Sequence, residues 1–317
     1  MAGSIFDQRG ARPASAEAQT APGSEGPSTV SVAYETRAAA RPRLADAVTG
    51  ERLRPGQVAL LALAVAFVAL MLVLPLVAVL ATAFREGAGA WWRAVSDECA
   101  VKALALTLFA SVVAVGVNTA VGLCAAWATT RFSFRGKKLL TTLIDLPMAV
   151  SPVIAGLSFL LVFGRKSPVY PLLRAAHVDI VFAVPGIVLA TVFVTFPFVA
   201  RSVVPALESR GTDEEEAAAL MGASGPTIFR RVTLPHIKWA LTYGVVLCTA
   251  RAMGEFGAVS VVSGHLRGLT NTLPLHIEIL FNEFQYVPAF AVSTILVALA
   301  VVILVAKAVL TRRMEEE

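Results

Sequence analysis

The sequence predicts an all-α integral membrane protein with six transmembrane helices, and three observations carry that reading. Of 317 residues, 56% are hydrophobic and only 15% charged, and the mean hydropathy is +0.72; a soluble domain of this size carries more charge on its surface. Six apolar runs reach the roughly 20 residues needed to cross a hydrocarbon core. A single long polar island, residues 205–238, separates the fourth run from the fifth.

Residues 1–56 are rich in Ala, Pro, Gly, Ser, Thr and Arg and hold no apolar run. Such a segment cannot bury enough surface to offset its ordering entropy, so a disordered tail is expected. It lacks the charged start, apolar middle and cleavage region of a secretory signal, so the first span is expected to be retained. The spans then fall at about 58–84, 103–130, 139–163, 180–204, 239–262 and 289–310, within a membrane region 57–312 and ahead of a short tail, 313–317. Pro75, Pro147, Pro152, Pro185 and Pro197 lie in or near spans, where they are expected to kink them. Trp91 and Trp92, just beyond the first span, have the character of an interfacial anchor. Small residues at helical spacing, Gly116-Ala120-Cys124-Ala128 in the second span and Gly244-Cys248-Ala252 in the fifth, predict close helix packing.

Lysine and arginine accumulate on the cytoplasmic flanks of spans. With the amino terminus inside, the inner flanks hold four at 41–54, four at 131–138, five at 201–238 and three at 307–313, against seven on all the outer flanks. Both termini and the polar island are therefore expected in the cytoplasm. The outer segments, about 85–102, 164–179 and 263–288, are too short for a receptor domain, which assigns substrate capture to another polypeptide. The net charge of +5 is spread over loop ends without interleaved aromatics, so nucleic acid is not an expected partner, whereas membrane lipid is. Cys99, Cys124 and Cys248 form no close-spaced pair and predict neither a disulfide framework nor a metal site.

The island contains Glu216-Ala217-Ala218, then Gly222 after three residues, and Val232, Leu234 and Pro235 after nine more. Asp213, Glu214, Glu215 and Glu216 sit where acidic groups favour a helix start, and Gly222 can end that helix. A turn through Gly225-Pro226, a second helical stretch over 227–233 and a break at Pro235 are expected to follow. The fixed spacing E-A-A-x3-G-x9-I-x-L-P, here with Val232 for Ile, resembles the coupling loop of permease subunits of ATP-binding-cassette importers. The resemblance implies the type I, MetI-like permease fold with a cytoplasmic EAA coupling helix. It places Glu216, Ala217, Ala218, Gly222, Leu234 and Pro235 in contact with an ATPase, Glu216 opposite a basic residue of that partner. An ordinary amphipathic loop helix, with Glu216 merely favouring the helix start, is the plainer alternative.

The fifth run carries charge. Arg251 lies about 20 Å along it from Lys238 at 1.5 Å per residue, and charge at that depth is costly and faces protein or water. Glu255, four residues on, is placed to neutralise it on one helix face. The sharper alternative makes Arg251 part of an anion path or gate, oriented by Glu255, with Gly254 and Gly257 allowing close backbone approach.

The run from Arg251 through Gly254-Glu255-Phe256-Gly257 to Gly264, followed by Thr272-Leu273-Pro274-Leu275-His276-Ile277-Glu278, resembles oxyanion-importer permeases, most closely the CysW-type sulfate/thiosulfate subunits. That resemblance covers about residues 57–312. It implies a bacterial inner-membrane, multi-pass location and assembly with a CysT-type second permease, a CysA-type cytoplasmic ATPase dimer and a periplasmic sulfate/thiosulfate-binding protein. Molybdate and tungstate permeases share the Gly-Glu-Phe-Gly segment and remain the alternative substrate class; the amino-terminal extension and the Thr-Leu-Pro-Leu-His segment favour sulfate.

The chain has no G-x-x-x-x-G-K-[ST] phosphate loop, so it is not expected to be an enzyme or to hold a cofactor of its own; ATP and Mg belong to the partner ATPase. A secondary transporter should show inverted repeats, and none is evident. Gly222-Ala223-Ser224-Gly225 matches a serine-protease pattern, but it lies outside every span with no intramembrane histidine as its base.

Overall fold

The computed structural model describes residues 55–315, and all regular secondary structure among them is helical. The chain divides into two compact units, residues 1–68 and 69–317. Only 55–68 of the first is described, as the leading part of helix α1 (Pro55–Ala83), so the expected tail lies outside the described residues apart from Pro55 and Gly56. The second unit continues α1 and adds α2 (Ala88–Val95), α3 (Glu98–Arg131), α4 (Lys137–Ala149), α5 (Pro152–Phe163), α6 (Tyr170–Ala175) and α7 (Val184–Arg210). After these come α8 (Asp213–Leu220), α9 (Gly225–Ile228), a π-helical turn (Phe229–Thr233), α10 (Leu234–Met253), α11 (Gly257–Val262), α12 (Leu273–Asn282) and α13 (Tyr286–Glu315).

By length and hydropathy alone, the described helices do not supply all six expected spans as single unbroken helices. Four described helices, α1, α3, α7 and α13, are long and apolar enough to cross a membrane, and α4 with α5 makes a fifth only as a pair bent by 110°. The bend falls at Val150 and Ser151, both with extended ψ of 135 and 132, and Pro152, which opens α5, disfavours helical backbone at Ser151. The predicted span 239–262 is interrupted as well: α10 ends at Met253, Gly254 to Phe256 leave the helix, and α11 resumes at Gly257. Lys238 and Arg251 lower the hydropathy of α10, which explains why it does not qualify alone.

Helices α3, α7 and α10 form the centre of the second unit, with Ala126, Val199, Val203, Leu207, Ile237 and Cys248 as one buried cluster. The face of α3 that packs inward is Ala103, Thr107, Ala110, Ala114, Asn118, Gly122, Ala126 and Thr129. The predicted stripe in α3 is not part of that face: Gly116, Ala120 and Cys124 are exposed within this chain. An Ala-rich helix offers small residues in more than one register, and its polar side chains select the face, since polar groups within a membrane need partners. Asn118 supplies them: its Nδ2 donates to Thr195 Oγ1 at 2.7 Å and to the Val192 carbonyl at 3.1 Å. The α10 stripe packs as expected. A Cβ on Gly244 would lie 3.0 Å from Ser202 Cβ and 3.1 Å from Val199 Cα, so α10 rides directly on α7.

The two interrupted spans pack against each other. A Cβ on Gly156 would lie 2.7 Å from the Ala258 carbonyl oxygen, and one on Gly257 3.0 Å from Pro152 Cβ. Overpacking a tight contact costs about 1–3 kcal/mol. Gly156→Leu is therefore expected to lower the thermal midpoint of the purified protein in detergent, whereas Gly116→Leu, with nothing within 4 Å of the new Cβ, leaves it unchanged.

Trp91 and Trp92 have different roles. Trp91 is held inward, its Nε1 donating to Thr294 Oγ1 at 3.0 Å and its ring stacked on Phe84, while Trp92 is 65% exposed and alone keeps the anchor geometry.

Candidate functional site

The polar island folds into a helical elbow whose two faces differ. Helix α8 carries Asp213, Glu214, Glu215 and Glu216 in its first turn, where carboxylates meet the positive end of the helix dipole. It ends as expected at Gly222, whose φ of +85 suits glycine. The Gly222 N–H donates to the Ala219 carbonyl at 2.9 Å and the Ala223 N–H to the Ala218 carbonyl at 3.1 Å, a Schellman closure. Nothing lies within 4 Å of a Cβ there, so backbone conformation, not space, requires glycine.

The expected break at Pro235 is absent. Pro235 is the second residue of α10, where a missing N–H is tolerated. The π turn before it widens the ladder, with the Leu234 N–H donating to the Phe229 carbonyl. The chain thus runs helically from Gly225 to Met253.

On the outer face of α8, Glu216 and Ala217 are exposed, Leu220 is 90% and Met221 84% exposed, and Thr212 Oγ1 donates to Glu216 Oε1 at 2.7 Å. On the inner face Ala218 is buried and Glu215 is anchored. Leu234 is partly buried against the central cluster, while Pro235 is exposed. The predicted residues therefore divide: Glu216 and Ala217 face outward with Pro235, and Ala218, Gly222 and Leu234 shape and seat the elbow.

Sequence reasoning missed the anchor. Arg131, the last residue of α3, holds Glu215 with Nε 2.8 Å from Oε2 and with Nη2 donating to Oε1 at 3.0 Å. His236 Nε2 also lies 3.1 Å from Glu214 Oε2. Within the acidic run both Glu214 and Glu215 share a face with Ala218, at four and three positions, so spacing alone did not single out the anchor.

At the second candidate site Arg251 Nη1 lies 2.6 Å from Glu255 Oε2. The pair expected from sequence forms, although not along one helix face. Glu255 sits in the break between α10 and α11, its side chain only 1% exposed, and its Oε1 accepts from the Ala258 N–H at 2.9 Å. One carboxylate therefore neutralises Arg251 and caps α11, leaving the Arg251 side chain 32% exposed. Gly257 makes the predicted close approach, to Pro152. Gly254 does not: a Cβ there meets only the Ala250 carbonyl at 3.8 Å, and the residue serves as the C-cap of α10.

The 272–278 segment opens α12, with the Leu273 N–H donating to Thr107 Oγ1 at 2.7 Å. His276 is 3% exposed with Nδ1 unpartnered. Burial pushes its pKa below the ordinary 6.5; Arg267 lowers it further, while Asp97 and Glu283 raise it. The unfolded chain thus binds this proton more readily than the folded one. Stability is expected to be lost as pH falls through about 6.5 and regained above it. Thermal melts between pH 5.5 and 7.5 check this, and His276→Gln flattens that dependence. Glu283, paired with Arg267, is held below the usual carboxylate range by that contact and stays charged throughout.

Comparison with known proteins gives a consistent set of likenesses. A family model described as "Binding-protein-dependent transport system inner membrane component" matches residues 118–316. The chain is 46% identical over 274 residues to the sulfate transport system permease protein CysW of Synechococcus elongatus, covering 86% of this chain and 95% of that relative. It is 35% identical over 258 residues to the sulfate transport system permease protein CysT of Salmonella typhimurium, covering 81% and 93%. Among solved structures, a chain of a bacterial alginate ABC transporter, in complex with an alginate-pentasaccharide-bound periplasmic protein, superposes with a TM-score of 0.68 at 18% identity, covering 81% of this chain and 93% of that one.

Proposed function

Because the chain belongs to the family of binding-protein-dependent transport system inner membrane components, we propose that it is the CysW-like permease subunit of an ATP-driven sulfate importer of the bacterial inner membrane. The observation that carries the substrate is the 46% identity to a sulfate permease over 95% of that relative's length. The weaker likeness to CysT supports a pair of different permeases around one pathway, and the alginate transporter's periplasmic protein supports delivery by a binding protein. Thiosulfate is the second anion of this reading.

In the proposed arrangement α10 and α11 together complete a sixth, interrupted crossing, with both termini and the α8 elbow in the cytoplasm. Glu216, Ala217, Leu220 and Met221 meet a cytoplasmic ATPase, which binds ATP and Mg. Closure of two ATPase subunits displaces the elbow, and unbroken helix from Gly225 carries that displacement into α10, whose far end holds Arg251. Only a surface with different affinity for the open and closed motor states can bias the pathway in this way. Arg251 then faces the anion path with Glu255 fixing its orientation.

Co-purification provides the test. The complex isolated through this chain is expected to contain an ATPase subunit, and sulfate uptake by the reconstituted complex to stop when that subunit is left out. Full uptake by the permeases alone would replace this reading with ion-driven transport.

A further inference from the structure

Arg131 and Glu215 bind three separate elements to the elbow. Besides its two contacts to Glu215, Arg131 donates from Nη1 to the Leu207 carbonyl of α7 at 3.2 Å. Glu215 Oε1 also accepts from Thr233 Oγ1 at 2.7 Å, and Thr233 is buried at the end of the π turn that leads into α10. The two charged side chains are only 10% and 18% exposed. The cavity beside them, lined by Arg131, Leu207, Glu215 and Thr233 among others, measures about 10 Å³, so it admits at most one water and the cluster is a joint, not a ligand site.

The guanidinium meets the carboxylate through one hydrogen bond, from Nη2 to Oε1, and one ion contact, Nε beside Oε2, and a planar group held at both places fixes orientation as well as distance. Glu215 cannot move with α8 unless Arg131 follows or both contacts break. Arg131 terminates a 34-residue helix and holds α7 through the same group. The outer face of α8 is free, and its inner face is fastened to α3, to α7 and to the start of α10.

We infer that Arg131 and Glu215 are the positioning pair through which movement of the elbow reaches α3 and α7 in step with α10. This rests on the ATP-driven import reading and adds a route beyond the direct one through α10.

The experiment uses the complete reconstituted transporter and measures sulfate taken up per ATP hydrolysed, with retention of the ATPase subunit as control. Arg131→Lys, which keeps the charge and loses the fork, and Glu215→Gln are each expected to lower that ratio about tenfold, a usual size for coupling between sites, while the ATPase stays bound and hydrolysis continues. The exchange Arg131→Glu with Glu215→Arg is expected to restore more uptake than either reversal alone. Should a charge variant not assemble, Thr233→Val removes one contact with both charges kept and is expected to lower the same ratio. A wild-type ratio in these variants, or uptake and hydrolysis falling in parallel, overturns the inference and leaves the import reading standing. Sulfate uptake by the unmodified complex without ATP overturns both.

Discussion

Glu216→Lys combined with Leu220→Asp is expected to abolish ATP-dependent sulfate uptake while leaving the chain folded. Leu220 is 90% exposed and the exposed Glu216 carboxylate accepts from the hydroxyl of Thr212, so neither side chain holds the core. What they offer is an acidic and apolar face at the end of an elbow whose other face is fastened. Burying a leucine side chain is worth about 1.5–3 kcal/mol, so its loss alone weakens docking roughly ten- to a hundredfold, and the reversed charge adds repulsion against a basic partner. The expected signature is a normal thermal midpoint, lost co-purification of the ATPase and no uptake. A double variant that retains its ATPase and transports normally removes the outer face of α8 as the docking surface.

Arg251→Ala is expected to have the second large effect, and the structure separates its two possible causes. Removing Arg251 strands Glu255, which is 2% exposed, and breaking one side of a buried pair costs about 3 kcal/mol at the lower end of its range, since a third of the Arg251 side chain is exposed. A protein that merely loses stability recovers when both charges go. Arg251→Met with Glu255→Gln is therefore expected to regain much of the thermal stability, because the amide still accepts from Ala258, yet to remain inactive. Arg251→Lys is expected to retain more uptake than Arg251→Ala at equal assembly. Recovery of uptake in the neutral pair would identify Arg251 as structural only and end its assignment to the anion path.

The sequence revealed what rests on local chemistry. The acidic start of α8, its end at Gly222 and the pairing of Arg251 with Glu255 each depend on residues a few positions apart, and all are present. Features set by distant partners were not legible. The inward face of α3 was not singled out because its small residues occur in several registers, and the choice was made by Asn118 meeting Thr195, 77 positions away. Arg131 read as a topology signal because its partner, Glu215, lies 84 positions on. The helix breaks were half legible: Pro152 marked the α4–α5 bend, but Gly254 and Gly257 did not by themselves say which would cap α10 and which would meet α5. Pro235 misled for the opposite reason, since a π turn five residues long accommodated it without a break.

Import of sulfate at the expense of ATP is tested most directly by uptake of labelled sulfate into vesicles holding the full set of subunits. Uptake is expected to require ATP, the binding protein and this chain together, and to be reduced by excess unlabelled thiosulfate but little by molybdate. Uptake that persists without ATP, or that molybdate suppresses while thiosulfate does not, would contradict the account.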